Sequence, residues 1–384
     1  MESQKSFSAD LEFLNENSSP VVLTAPDGGG RVVVSPGMQG RVMTSTADGK
    51  SSYGWINYSL IESGRRREHI NAFGGEDRFW LGPEGGQYSI FFKAGEPMDI
   101  NHWQTPEPID WGSWDVVSTN KERIEMVKGF VLDNAAGCKF SLRTRRVIKV
   151  FSRADIAKTL GVEISDGVNY VGFESLNAIT NAGNRFEKEY GLLSIWTLGM
   201  FKASSKAVVV VPFKADAAAG AHDLINAGYF GRVSDDRLNV DVRKGVAFFR
   251  GDGKSRGKIG VSPKYAKEIL GSWTPELNTL TIVMYSLPAN AEKLDYVNST
   301  WEIQKEPYSG DAVNSYNDGP AEAGGLQLGQ FYELETSSPA MVLGPSDKQM
   351  HTHRTFHFTG KKKHLNEMAQ QLLGMSMDEI EKAL

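Results

Sequence analysis

Glycine punctuates this chain: forty of its 384 residues are Gly. Between the glycines lie short runs rich in Val, Ile, Thr, Phe and Tyr. A chain interrupted so often builds strands joined by turns rather than long helices. Val21–Thr24, Arg31–Ser35 and Arg41–Ser45 are such runs, separated by Gly, Pro and Asp. From Cys138 to Val150 apolar and polar residues alternate, as in a half-exposed antiparallel strand. Ala207–Phe213 and Leu280–Tyr285 are apolar on both faces and read as central strands. Gly167–Leu176, Leu193–Phe201, Val246–Phe249 and Phe331–Thr336 are further strand candidates. Helices are expected from Ser152 through Ala157 and in the C-terminal tail, where Ser376 and Glu379 have the spacing of a capping box.

Composition bounds what such a protein does. At roughly 150 residues per domain the length suggests two or three domains, but β-rich folds exceed that as one unit. The residues read as one β domain over 1–360 with a helical tail over 361–384 packed on it. Hydrophobic residues make up 40% and charged residues 23%, which predicts a sizeable core. The net charge of −5 carries no basic stripe for nucleic acid. The single cysteine, Cys138, rules out an intramolecular disulfide and CxxC zinc sites. No apolar run reaches the ~20 residues of a membrane span. The start, MESQKSFSADLEFL, lacks the basic-then-apolar order of a signal peptide. GDGKS at 251–255 lacks the first glycine of a phosphate loop and reads as a basic hairpin turn with Arg250, Lys254, Arg256 and Lys258 in solvent.

Four polar clusters remain. The first is FGGEDRFWLGPEGGQYSIFF, residues 73–92, with Arg78, Trp80, Glu84 and Gln87. It is expected to form a loop and then a strand over Tyr88–Phe92. Arg78 would point inward against an acidic partner, and Trp80 would offer its face to a ligand. The second is NAITNAGNRF, with Asn181 and Arg185. The third is GDAVNSYNDGP, with Asp311, Asn314, Asn317 and Asp318. The fourth joins FYELETSSPAM to HTHRTFHF. There Glu333 and Glu335 share one strand face, and His351, His353 and His357 share another. Carboxylates and imidazoles so placed suit acid–base work or a divalent metal. Amides, carboxylates and Arg grip hydroxyls, and an exposed Trp supports the C–H face of a sugar ring. A mono- or oligosaccharide makes this mixed demand.

GGEDRFWLGPEGGQ resembles the Gly-Gly…Trp-Pro segment of hexose-phosphate epimerase-like members of the galactose mutarotase-like superfamily. FYELETSSPAM is similar to the Leu-Glu-Thr-Gln…Pro-Asp segment of aldose 1-epimerases, and Thr180-Asn181-Ala182 to their Thr-Asn-His. The three segments also come in the family's order. The resemblance, greatest to uncharacterised bacterial members, implies a large antiparallel β-supersandwich. It also implies a bound sugar, no cofactor and an aldose 1-epimerase-like isomerase with Glu335 as base. Ala182 stands where the family's acid His is expected, and Ser337 where its Gln is. An acid would then have to come from His351, His353 or His102. Arg78, Trp80, Gln87, His102, Asn181, Arg185, Asp311 and Asn317 would hold the sugar. Two alternatives stay open. One is a non-catalytic carbohydrate-binding protein. The other is a metal-dependent enzyme using His351, His353 and His357 with Glu333 or Glu335, since Gly344…His351-x-His353 is similar to the Gly-spacer-His-x-His of cupin strands. Among compartments, the relatives favour the periplasm or cell envelope slightly over the cytoplasm.

Overall fold

The computed structural model describes residues 6–216, 219–320 and 327–384. Among these residues, strands form three antiparallel sheets of three, ten and five strands. The large sheet runs, in spatial order, 238–241, 246–250, 208–212, 269–274, 279–285, 348–359, 169–181, 139–150, 123–133 and 115–119. The two apolar runs, Val208–Pro212 and Thr279–Tyr285, lie inside it with neighbours on both sides, as doubly buried strands do. The five-stranded sheet runs 257–261, 313–317, 331–337, 194–202 and 78–82. The small sheet holds Val21–Thr24, Arg31–Ser35 and Arg41–Thr46. This is the galactose mutarotase-type β-supersandwich that the resemblance implies.

The five-stranded and large sheets are layered, and polar contacts cross between them. Ser272 Oγ lies 2.7 Å from Tyr332 Oη, and Phe201 packs edge-on against His357. The small sheet joins through Val42, which bridges to Asp77 beside the five-stranded sheet. On the opposite side of the large sheet, the Lys362–Leu373 helix buries Leu365, Met368, Ala369 and Leu373 against Val208, Val210, Leu280, Ile282 and Phe356. Ser376 and Glu379 close a capping box on the Met377–Glu381 helix, and Ser152 caps Arg153–Leu160. A further helix, Phe7–Ser18, is capped by Ser6. Its weak amphipathic pattern gives the sequence little signal.

Two local expectations are corrected. Tyr88–Phe92 is not a strand; the strand is Arg78–Gly82, and residues 83–106 wrap the sheet edge as turns. Ser89 Oγ takes the N–H groups of Phe91 (2.9 Å) and Phe92 (3.2 Å), which ties the backbone into a turn. Ile90, Phe91 and Phe92 are then all buried, rather than alternating. The 251–255 stretch is not a hairpin either. It crosses from the large sheet to the five-stranded one, and Lys258 beyond it is buried rather than solvated.

Candidate functional site

The period-2 geometry of the five-stranded sheet assembles the site on one face. Lys258, Tyr316, Glu333 and Met200 form one row across neighbouring strands. Asn314, Glu335, Leu198 and Arg78 form the next row. Trp196 and Trp80 pair in the row beyond. Arg78 and Glu335 therefore share a face two strands apart, about 10 Å at backbone spacing.

This face floors a cavity of about 380 Å³, within the usual range for a small-ligand site. Arg78, Trp80, Trp196, Lys258, Tyr316 and Glu333 line it from the sheet. Loops close around it with His69, Glu84, Trp103, Phe230, Arg256 and Trp301. The rings form a continuous wall. Trp80 meets Trp196 edge-on at 5.5 Å, Phe91 stacks on Trp103 at 5.9 Å, and Trp103 stacks on Trp301 at 6.0 Å. Gly85 fits where the turn passes the backbone of Thr300, since a Cβ there would lie 2.2 Å from the Thr300 carbonyl oxygen.

Charged groups sit among the rings. Arg78 Nη2 donates to Glu333 Oε1, and the Arg78 guanidinium lies over Trp80 at 4.8 Å. Burial pushes the Glu333 carboxyl up to about 8; Arg78 opposes the shift and Glu335 adds to it. Lys258 Nζ (2.8 Å) and Trp196 Nε1 (2.9 Å) both donate to Glu335 Oε2. Burial works against the Lys258 ammonium, but Glu335, Glu84 and Glu333 together hold its pKa above the ordinary lysine value. Burial likewise raises the Glu84 carboxyl, with Lys258 opposing. His69 Nδ1 donates to the Trp103 carbonyl at 2.7 Å, which leaves Nε2 as an acceptor in the neutral ring. Among the described residues, the buried donors Arg78 Nε, Arg256 Nε, Trp80 Nε1 and Trp103 Nε1 have no hydrogen-bond partner. All four belong to side chains that line the cavity.

The clusters read from the sequence separate in space. Arg78 and Trp80 line the cavity. Glu335 faces the same way but is 0% exposed, sealed behind Lys258 and Trp196. Asp311 lies next to that seal, in a small enclosed space shared with Lys258 and Trp196, and accepts hydrogen bonds from Tyr229 and Asn226.

The remaining assignments are corrected. Gln87 grips the Gln304 backbone through both ends of its amide, at 3.0 Å each. His102 pairs with Asp99 at 2.7 Å in a different surface depression. Asn181 spends its amide on the carbonyls of Asn184, Leu343 and Gly344. Asn317 spends its amide on Gly253 N, Ser255 O and Asp318 O. Both are loop clamps, the turn role that Asn chemistry favours. Arg185 is exposed beside Gly344, away from the cavity.

His351 and His353 lie on the other side of the Phe331–Ser337 strand from Glu335. Thr336, one residue on and therefore facing the opposite way, sits 2.8 Å from His351 Nε2 and 2.9 Å from His353 Nδ1. His357 is bound instead to Thr281 and Glu76, at 2.9 Å each. The imidazoles therefore do not serve Glu335 as an acid. Among the described residues no three His, Cys, Asp or Glu side chains gather to hold a metal. The sequence reading pointed to Trp103 and Trp196 by their place beside polar clusters, and missed Lys258, Trp301, Phe230 and His69 as cavity residues. Lys258 lies on the Gly257–Val261 strand, where parity places it on the cavity face, whereas the loop residues carry no periodic signal.

Residues 5–384 match the Family of unknown function DUF6786. No curated protein matches the chain. Among solved structures, a candidate aldose 1-epimerase from Escherichia coli K12 superposes with a TM-score of 0.52 at 10% identity, covering 89% of this chain and 99% of its own. A protein from Synechocystis sp. gives 0.51 at 12% identity, covering 89% and 96%. A galactose mutarotase-like protein from Lactobacillus casei gives 0.48 at 9% identity, covering 88% and 99%. At these identities the likeness is one of fold.

Proposed function

The chain belongs to the DUF6786 family, and from that premise we propose that it binds a carbohydrate in the cavity over its five-stranded sheet. The observation that carries the reading is the joining of four tryptophans with unspent donors in one cavity. Trp80, Trp103, Trp196 and Trp301 line it, and Arg78 Nε and Arg256 Nε have no partner among the described residues. Indole faces support the C–H side of a pyranose, while guanidinium and indole N–H groups take its oxygens. The fold agrees with this reading, since one structure that resembles the chain is described as an aldose 1-epimerase candidate. Among the described residues no helix is long and apolar enough to cross a membrane. Calorimetry against a panel of mono- and oligosaccharides tests the reading. At least one sugar is expected to bind, and Trp80→Ala to weaken it about tenfold or more, by loss of a buried ring contact. A panel that fails entirely removes the proposal.

A second reading, acid–base turnover of the bound sugar, is favoured by one observation. Glu333 lines the cavity with its carboxyl pushed up to about 8, so it holds a proton to donate at neutral pH. Glu335, the residue implied by resemblance as the base, is enclosed and already bound by Lys258. NMR exchange between anomers separates binding from turnover: Glu333→Gln would abolish exchange while retaining the sugar.

A further inference from the structure

The cations that line the cavity are not equivalent. Arg78 donates a hydrogen bond to Glu333, and Lys258 donates one to Glu335. Arg256 has no carboxylate partner among the described residues, although its Nε is buried and unbonded. Its guanidinium lies over the Phe230 ring at 3.9 Å and near Trp301 at 5.6 Å. Stacking occupies a face of the guanidinium and leaves its N–H edge for a ligand. Arg67, exposed at the cavity rim, likewise has no carboxylate partner among the described residues. A half-buried guanidinium that makes no ion pair can take its counter-charge from a ligand.

We propose that the saccharide taken by this cavity carries a carboxylate, seated on Arg256 with Arg67 at the rim. This rests on the carbohydrate reading above and names the class of sugar. The planar, singly charged carboxylate matches the edge of a stacked guanidinium in a bidentate bond. A phosphate fits less well, because Glu68, Glu84, Asp318 and Glu333 also line the cavity. A dianion meets roughly twice the repulsion of a monoanion from each of them that is ionised.

Calorimetry with matched pairs tests this: galactose against galacturonate, glucose against glucuronate, and glucose 6-phosphate as the phosphate arm. In the wild-type protein a uronate should bind about tenfold or more tightly than its neutral parent. Arg256→Gln should erase that difference, bringing the uronate down to the affinity of its neutral parent in the same variant, with a thermal melt confirming that it folds. Arg67→Gln, at an exposed position, should narrow the difference without touching the fold, and keeps the test valid should Arg256→Gln not fold. Equal binding of acid and neutral parent overturns the proposal and leaves the carbohydrate reading standing. So does a preference for the phosphate, or an Arg256→Gln variant that weakens both members of a pair equally. If no sugar of either kind binds, the carbohydrate reading falls and this one with it.

Discussion

Arg146 and Arg78 are both almost fully buried, at 0% and 2%, yet they spend their donors differently. Arg146 lies between the sheets. It bonds the Gly40 carbonyl (2.9 Å) through Nε, Asn177 Oδ1 (2.5 Å) through Nη1, and Asp77 through Nη2. Asp77 also receives Ser175 Oγ at 2.6 Å. Each nitrogen of this guanidinium has a protein partner, as a structural ion pair requires. Arg78, the residue after Asp77 in the chain, points to the opposite side and into the cavity. It holds Glu333 through Nη2, while its Nε has no partner among the described residues. Two adjacent positions thus carry a group that completes the layers and, next to it, a group with capacity left over. Burial alone does not separate these two guanidinium groups; their unspent donors do.

Breaking the two pairs should separate those roles, and the largest effect belongs to the interlayer pair. Arg146→Met strands the Asp77 carboxylate between the sheets and is expected to cost about 3–5 kcal/mol, read from urea unfolding. Sugar affinity of the folded fraction should stay unchanged. Arg78→Met should cost less, about 1–3 kcal/mol, because Glu333 can stay protonated: burial already pushes its carboxyl up to about 8. Sugar affinity should fall about tenfold in that variant through the lost donors. Equal stability losses with unchanged binding in both would erase the distinction.

The same two regions should answer pH in opposite directions. Burial lowers His351 to about 3 and His353 to about 4 from 6.5. In that range the unfolded chain takes up protons that the folded chain refuses. The stability these residues contribute is therefore complete above about 6.5 and is lost as pH falls toward 4 and then 3. Glu333 is raised from 4.5 to about 8. Its folded form holds a proton that the unfolded chain has released. Its contribution is complete below about 4.5 and drains away as pH rises through 8. Unfolding midpoints measured from pH 4 to 9 should show both limbs. His353→Asn should flatten the acid limb alone, and Glu333→Gln the alkaline limb alone. A single limb that responds to both substitutions would mean that the two networks are coupled through the Phe331–Ser337 strand.

Strands were legible because their signals are local. Val21–Thr24 and Arg31–Ser35 have the same bounds in the sequence reading and in the fold. The shared face of Glu333 and Glu335 follows from parity alone. The His cluster was misread for a reason that parity cannot supply. Two alternating strands say which residues share a face, but not which faces meet, and Thr336 rather than Glu335 meets the imidazoles. The Asn-rich loops misled because an amide that binds hydroxyls is also the amide that closes a turn, and in Asn181 and Asn317 the turn takes the whole donor set. Lys258 was hidden by its basic neighbours, whose composition reads as a solvated turn. Trp301 and His69 reach the cavity from loops, where no period marks orientation.

Gln87 gives the smallest effect and tests where the boundary between the two roles lies. Its amide joins the loop after the Arg78–Gly82 strand to the Gln304 backbone, donating at 3.0 Å and accepting at 3.0 Å. Gln304 in turn donates to the Thr300 carbonyl at 2.8 Å and the Asn298 carbonyl at 3.1 Å, which folds the turn that carries Trp301. Gln87 itself does not line the cavity. Gln87→Ala removes two hydrogen bonds of about 1 kcal/mol each at a half-buried site, where water can replace part of the loss. Stability should drop by about 1–2 kcal/mol, and sugar affinity should stay within about threefold of wild type. Paired urea unfolding and calorimetry would read both values. A loss of affinity beyond about tenfold, with the fold intact, would show that the Trp301 wall is positioned by this clamp. A residue with every donor spent would then govern binding from outside the cavity, and counting unspent donors would no longer suffice to tell the two classes of polar residue apart.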